Sequence, residues 1–258
     1  LLSVSAIEWG RPWFTQWHAV SRVWESAGLG SAHTADALNA LTTTAAVRFV
    51  RQEALPPGEP YERFIAETGQ VPTRDNLHDF FNGLAWLRYP QAKAQLNRIQ
   101  ASAIATGGVG RVRGPVRDAA TVFDENGAVF IAPDVLWNAL QARDWAALFI
   151  THREAWRTAR LELFGHALLE KLVSPRKSIV AHVLHRPLAI ERISTEVQAN
   201  ELPTDVWLAR HLSAERLATK PFAPLPVLGV PGWWPANESP TFYDDPLVFR
   251  PRRTTPVD

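Results

Sequence analysis

Residues 77–105, LHDFFNGLAWLRYPQAKAQLNRIQASAIA, decide the fold. Apolar side chains recur there every three or four positions, as one buried face of a helix requires. Asp75 or Asn76 can accept from the free amides of a first turn beginning at Leu77. Pro90 has no amide hydrogen and clashes with the carbonyl four residues earlier, so the helical pattern breaks near it and then resumes. This is the longest helical region, and it predicts a domain built mainly of helices.

Working outward, Pro12 fits a first helical position, and Trp13, Trp17, Val20 and Trp24 follow at spacings of three and four, which predicts a helix over 12–26 ended by Gly28 and Gly30. A second helix starts at Thr34. AVRFV (46–50) and YERFIAE (61–67) read as short strands joined by a Pro-Pro-Gly loop. A Gly/Arg-rich loop, TGGVGRVRGPVR (106–117), precedes ATVFDENGAVFIA (120–132), where Asn126-Gly127 between apolar alternations signals a hairpin. Helices are expected at 133–142, 151–173, 188–199 and 204–218. The last forty residues hold nearly half of the 20 prolines and are too apolar for a solvated tail. The expectation is therefore an α+β, mainly helical single domain with a small antiparallel sheet, a core over 1–220, and an extended Pro/aromatic-rich arm over 221–258 packed on it. A boundary near the 106–117 loop is the alternative.

A chain of 258 residues, 46% hydrophobic with 11 Trp and 12 Phe, can bury a substantial core. With 27 basic and 26 acidic residues the net charge is +1, so no global field draws it to nucleic acid or anionic lipid. WWPANESPTFYDDPLVFRP (233–251) resembles the run that precedes the haem-ligating cysteine of cytochromes P450. The chain has no cysteine, however, which excludes that haem site along with disulfides, thiolate metal sites and cysteine nucleophiles. The uncharged run 221–237 contains five prolines and cannot form a membrane-spanning helix. The first residues lack the charged start and apolar stretch of a signal peptide, so a cytoplasmic location is expected.

Three clusters could carry chemistry. In PTRDNLHDFFNGL (72–84), His78 and Asn82 lie four apart on one helical face, with Arg74 and Asp79 at the helix start. His78, Asp79 and Asn82 are the acid/base candidates, and Arg74 a candidate anion ligand. Helix capping explains the same acidic residues without any activity. In ELFGHALLEKL (162–172), Glu162, His166 and Glu170 fall at successive i,i+4 positions. His166 and Glu170 could hold a divalent metal if His182, or His185, from AHVLHRP completes the set. No His-Glu-x-x-His or Glu-x-x-His pattern accompanies them, and a helix carrying a core histidine beside surface glutamates explains them equally. Third, Arg111 and Arg113 sit among glycines that would let backbone amides approach a phosphate-containing ligand or RNA; a solvated loop is the bland alternative. No G-x-S-x-G elbow occurs.

RDNLHDFFNGLAWLRYPQAKAQLN, RDAATVFDENGAVF, FGHALLEKL and KPFAPLPVLGVPGWWPANESPTFYDDPLVFRPRR together resemble a chiefly proteobacterial family, the domain-of-unknown-function family numbered 3025. The resemblance implies a single-domain protein and supplies no activity, substrate or catalytic residue. Two functions are thus expected from the residues themselves. One is a metal-assisted hydrolase acting on a phosphate-containing substrate, which requires the helices bearing His78 and His166 to meet around a pocket. The other is a non-catalytic binding or scaffold protein using the arginine loop or the C-terminal arm.

Overall fold

Asn76 caps the helix that opens at Leu77, its side-chain oxygen accepting from the Asp79 amide at 2.7 Å. The structure is a computed structural model and describes residues 7–26, 33–41, 46–107, 114–188 and 202–252. In chain order its elements are α1 His18–Ser26, α2 Thr34–Ala40, β1 Arg48–Arg51, α3 Tyr61–Thr68, β2 Gln70–Thr73, α4 Leu77–Arg88, α5 Pro90–Gly107, α6 Pro115–Asn126, β3 Gly127–Ala132, α7 Asp134–Ala142, β4 Arg160–Leu163, α8 His166–Val173, β5 Val180–Pro187, α9 Thr204–His211, α10 Ala214–Ala218 and β6 Ala223–Pro226. The class is α+β. The backbone groups into two units, Leu1–Asn126 with Phe164–Val173 and Leu202–Pro221, and Gly127–Leu163 with Ser174–Glu201 and Phe222–Asp258.

The first unit is helical apart from the parallel pair β1–β2. α4 is buried from Asp79 through Trp86, so its hydrophobic side chains point nearly all round, as in a central helix. Gly83 lets α2 pack against it, since a Cβ there would collide with the Leu38 side chain. Phe14 stacks on Phe81 with ring centroids 5.9 Å apart, and Phe123 stacks on Phe164 at 4.9 Å.

Residues 61–67 are helical, not a strand. Pro60 presets the entry angle, Tyr61, Phe64 and Ile65 follow the helical spacing, and Gly69 closes the helix with φ of 67°. The strand is the next segment, Gln70–Thr73. Asn126-Gly127 is likewise no hairpin: α6 runs to Asn126 and β3 starts at Gly127. The same residue pair that turns a hairpin also ends a helix, and local sequence does not separate the two uses. The expected helix 151–173 is short helical turns, then β4, then α8, which puts Glu162 on a strand and out of the stripe with His166. The 204–218 segment breaks into α9 and α10. The expected helix 188–199 lies, past Leu188, outside the described residues.

The second unit holds a mixed sheet of order β4-β3-β5-β6. β3 is buried throughout and pairs parallel with β5 and antiparallel with β4, which suits its unbroken apolar run GAVFIA. The C-terminal arm supplies β6, where Pro224 and Pro226 are tolerated because an edge strand need not donate on its outer side. Beyond it the arm coils in short turns, burying Phe242, Tyr243 and Phe249, with Tyr243 stacked on Phe149 at 4.8 Å. Among the described residues no helix is long and apolar enough to cross a membrane.

Candidate metal centre

In the first unit, His78 occupies the first turn of α4, Asp124 and Glu125 the last turn of α6, and His166 the first position of α8. Gly165 permits this meeting. A Cβ at that position would lie 2.5 Å from the Glu125 carbonyl oxygen and 2.6 Å from the Asn126 nitrogen, so only glycine lets α8 start against the end of α6.

His166 Nε2 lies 3.0 Å from His78 Nε2 and 3.6 Å from Glu125 Oε2, and the third side of the triangle, His78 Nε2 to Glu125 Oε2, is 4.0 Å. Glu170, one turn beyond His166, accepts from His78 Nδ1 at 3.0 Å. That bond assigns the His78 hydrogen to Nδ1 and leaves the Nε2 lone pair facing His166. The Nδ1 of His166 lies 3.8 Å from Asp124 Oδ2. Burial holds His166 down to about 3; Asp124 opposes that shift, and Lys93 and His78 reinforce it. The ring is therefore neutral at ordinary pH. Burial, with Asp124 alongside, pushes the Glu125 carboxyl above its usual range against the pull of His78.

Two imidazoles and a carboxylate thus converge on one small volume. With both histidine hydrogens on Nδ1, a cation in the middle satisfies all three groups, whereas a hydrogen on either Nε2 bridges the two rings directly. An ion about 2.0–2.2 Å from each ligand would separate neighbouring donors by about 3.0–3.5 Å. The 3.0 Å side lies at the short end of that range, the 3.6 Å side just beyond its long end, and the 4.0 Å side needs a shift of about half an ångström. His78, Glu125 and His166 can hold a divalent metal.

Beside them opens a cavity of about 380 Å³, lined also by Tyr61, Arg74, Asn82, Lys93 and Asp124. Lys93, 4% exposed, donates to Asp124 Oδ1 at 2.5 Å and Asn82 Oδ1 at 2.8 Å. Burial alone would raise the Asp124 carboxyl, but Lys93 and then His166 hold it below the usual range. Asn82 Nδ2 in turn donates to the Tyr61 hydroxyl at 3.1 Å. Asp79 is engaged on both oxygens by Arg74, whose amide and Nε donate to Oδ2 at 2.7 and 3.1 Å and whose Nη2 donates to Oδ1 at 3.0 Å.

Of the residues proposed from sequence, Arg74, His78, Asp79, Asn82 and His166 line this one cavity, and Glu170 stands behind His78. Asp79 anchors Arg74 at its edge. His182 is on β5 of the second unit, in register with Gly127 and Pro224. Arg111 and Arg113 lie outside the described residues. Sequence reasoning missed Glu125, Asp124, Lys93 and Tyr61. Lys93 alone left a local signal, as a cation on the same helical face as the apolar Leu96.

Residues 47–253 match the model of a family described as "Protein of unknown function (DUF3025)". The chain belongs to that family. The DUF3025 match includes every residue of the cluster and most of both units. No curated protein and no solved structure shows significant similarity to the chain.

Proposed function

We propose that the protein is a hydrolase that uses a divalent metal to cleave a phosphate ester. The triangle of His78 Nε2, His166 Nε2 and Glu125 Oε2 at the wall of a cavity carries this reading. Three protein ligands leave coordination positions open, as in catalytic rather than structural sites. A metal held there would lower the pKa of a water and polarise a phosphoryl oxygen. The chain's own residues do the rest. Glu170 keeps His78 in the ligating tautomer, and Lys93 keeps Asp124 ionised beside His166. Arg74 and Lys93 line the cavity, each already paired with an acid, Asp79 and Asp124, so the bound metal would supply the positive charge that favours an anionic substrate. In the net reaction a water oxygen bonds to phosphorus, the ester P–O bond breaks, and the displaced oxygen takes up a proton from the water.

The binding or scaffold alternative gains no support from the arm, whose Phe242, Tyr243 and Phe249 are buried within the second unit. Metal analysis and Zn²⁺ or Mn²⁺ titration of the purified protein, followed by assays of phosphomonoesters and phosphodiesters, test the proposal. One metal per chain, lost together with turnover in His166→Ala, is expected. A protein that takes up no divalent ion at millimolar concentration would sink it.

A further inference from the structure

The hydrogen-bond chain beside the metal ligands has a direction fixed by chemistry. Lys93 has only hydrogens to give, so Asn82 must turn its carbonyl oxygen toward it. The Asn82 amide nitrogen then faces Tyr61, and because that nitrogen also only donates, the phenol oxygen is the acceptor. Among the described residues Tyr61 has no other hydrogen-bond partner, and its side chain lines the cavity. Among the described residues its own hydrogen has no acceptor. Burial first, then the nearby charges of Asp79 and Asp124, raise the Tyr61 pKa, so the group keeps its hydrogen. Asn82 lies one helical turn beyond His78, roughly 6 Å along the axis. Tyr61 and the three metal ligands line the same cavity, where a ligand of phosphate size would set one oxygen near the ligands and another at the phenol.

We infer that Tyr61 is a substrate-binding residue whose O–H donates to a phosphoryl oxygen, oriented by Asn82 and Lys93. The inference rests on the hydrolase reading above and names the subsite next to its metal ligands.

Calorimetric titration with inorganic phosphate, and with acetate as the planar counterpart, tests it on the full chain with and without Zn²⁺. In Tyr61→Phe, phosphate affinity should fall by about tenfold or more, the usual effect of deleting one hydrogen bond to a charged group. Zn²⁺ affinity and melting temperature should stay close to wild type, which shows that the fold and the metal ligands are intact. Asn82→Asp gives an independent check. Its carboxylate would accept from both Lys93 and the phenol, turning the hydroxyl hydrogen away from the cavity, so phosphate binding should weaken although Tyr61 is present. Unchanged phosphate affinity in Tyr61→Phe overturns the inference, as does an equal loss for acetate, which would mark a carboxylate site. If Zn²⁺ binds and phosphate does not, the inference falls and the metal centre stands. If Zn²⁺ does not bind, the hydrolase reading falls, and the metal-free phosphate titration still decides the role of Tyr61.

Discussion

Two histidine environments in this molecule look alike in outline and differ in what they do with their nitrogens. His185, in the second unit, has Nε2 2.9 Å from the Ala132 carbonyl and 4.0 Å from Asp134 Oδ1, and its ring stacks on Trp137 with centroids 4.8 Å apart. The main chain satisfies it, and it holds a strand end to a helix. In the first unit His78 and His166 aim Nε2 at each other and at Glu125, so their bonding capacity converges on a point in space. A carboxylate near an imidazole is common to both sites; convergence is what separates a ligand set from a structural histidine.

The sharpest test of that contrast concerns buried cations. Lys93→Ala strands the ionised Asp124 in the interior and should cost about 3–5 kcal/mol of stability. Lys177→Ala, in the second unit, removes a half-exposed ion pair with Asp245 and a ring contact with Phe242, and should cost about 1 kcal/mol or less. Urea denaturation of both variants measures the gap; similar costs would show that the Lys93 network is not buried as described.

Next in size, His166→Ala should lower Zn²⁺ affinity by more than about a hundredfold, beyond the usual loss for a residue that only orients a ligand. His185→Ala should leave the same calorimetric titration unaltered. Gly165→Ala should cost about 1–3 kcal/mol by overpacking, and should weaken metal binding too because it wedges His166 away from Glu125. Glu170→Gln should reduce Zn²⁺ affinity by about tenfold, the loss typical of a group that holds a ligand from behind.

The pH response completes the set. His166 is held down to about 3 in the folded chain against 6.5 for a free imidazole, so between those values the unfolded chain carries the extra proton. Its contribution is therefore fully present above about pH 6.5 and is lost as the pH falls toward 3. Asp124, also depressed when folded, acts in the same direction at the acid end. Metal-free protein should lose urea resistance from pH 7 to pH 4.5, and His166→Gln should flatten that slope. Glu125, raised when folded, acts in the opposite direction in this window, so an unchanged slope in His166→Gln is the result that would contradict a buried neutral imidazole.

Much of the helical frame was legible: the Asn76 cap, the break at Pro90 and the one-turn relation of His78 to Asn82 each follow from local chemistry. His166 and Glu170 also stood out by spacing. Glu125 did not, because Asn126-Gly127 between apolar runs reads locally as a hairpin turn, and only the helix ending at Asn126 aims Glu125 at the histidines. Tyr61 was hidden by a strand assignment over a segment whose Pro60 and Gly69 in fact bracket a helix. His182 was the natural third ligand on residue type alone, yet pairing decides where a strand residue goes, and β5 binds it into the second unit's sheet. Such pairings depend on distant segments and leave no mark in a local window.

The interleaved order of the two units has a consequence for how the chain matures. Glu125 ends one segment of the first unit, and His166 begins the next only after β3 and β4, which belong to the second unit, have intervened. During synthesis His78 and Glu125 therefore leave the ribosome well before His166. Fragments that stop at Asn126 would lack His166, so on the proposed reading ion capture would mark late, long-range closure during biogenesis.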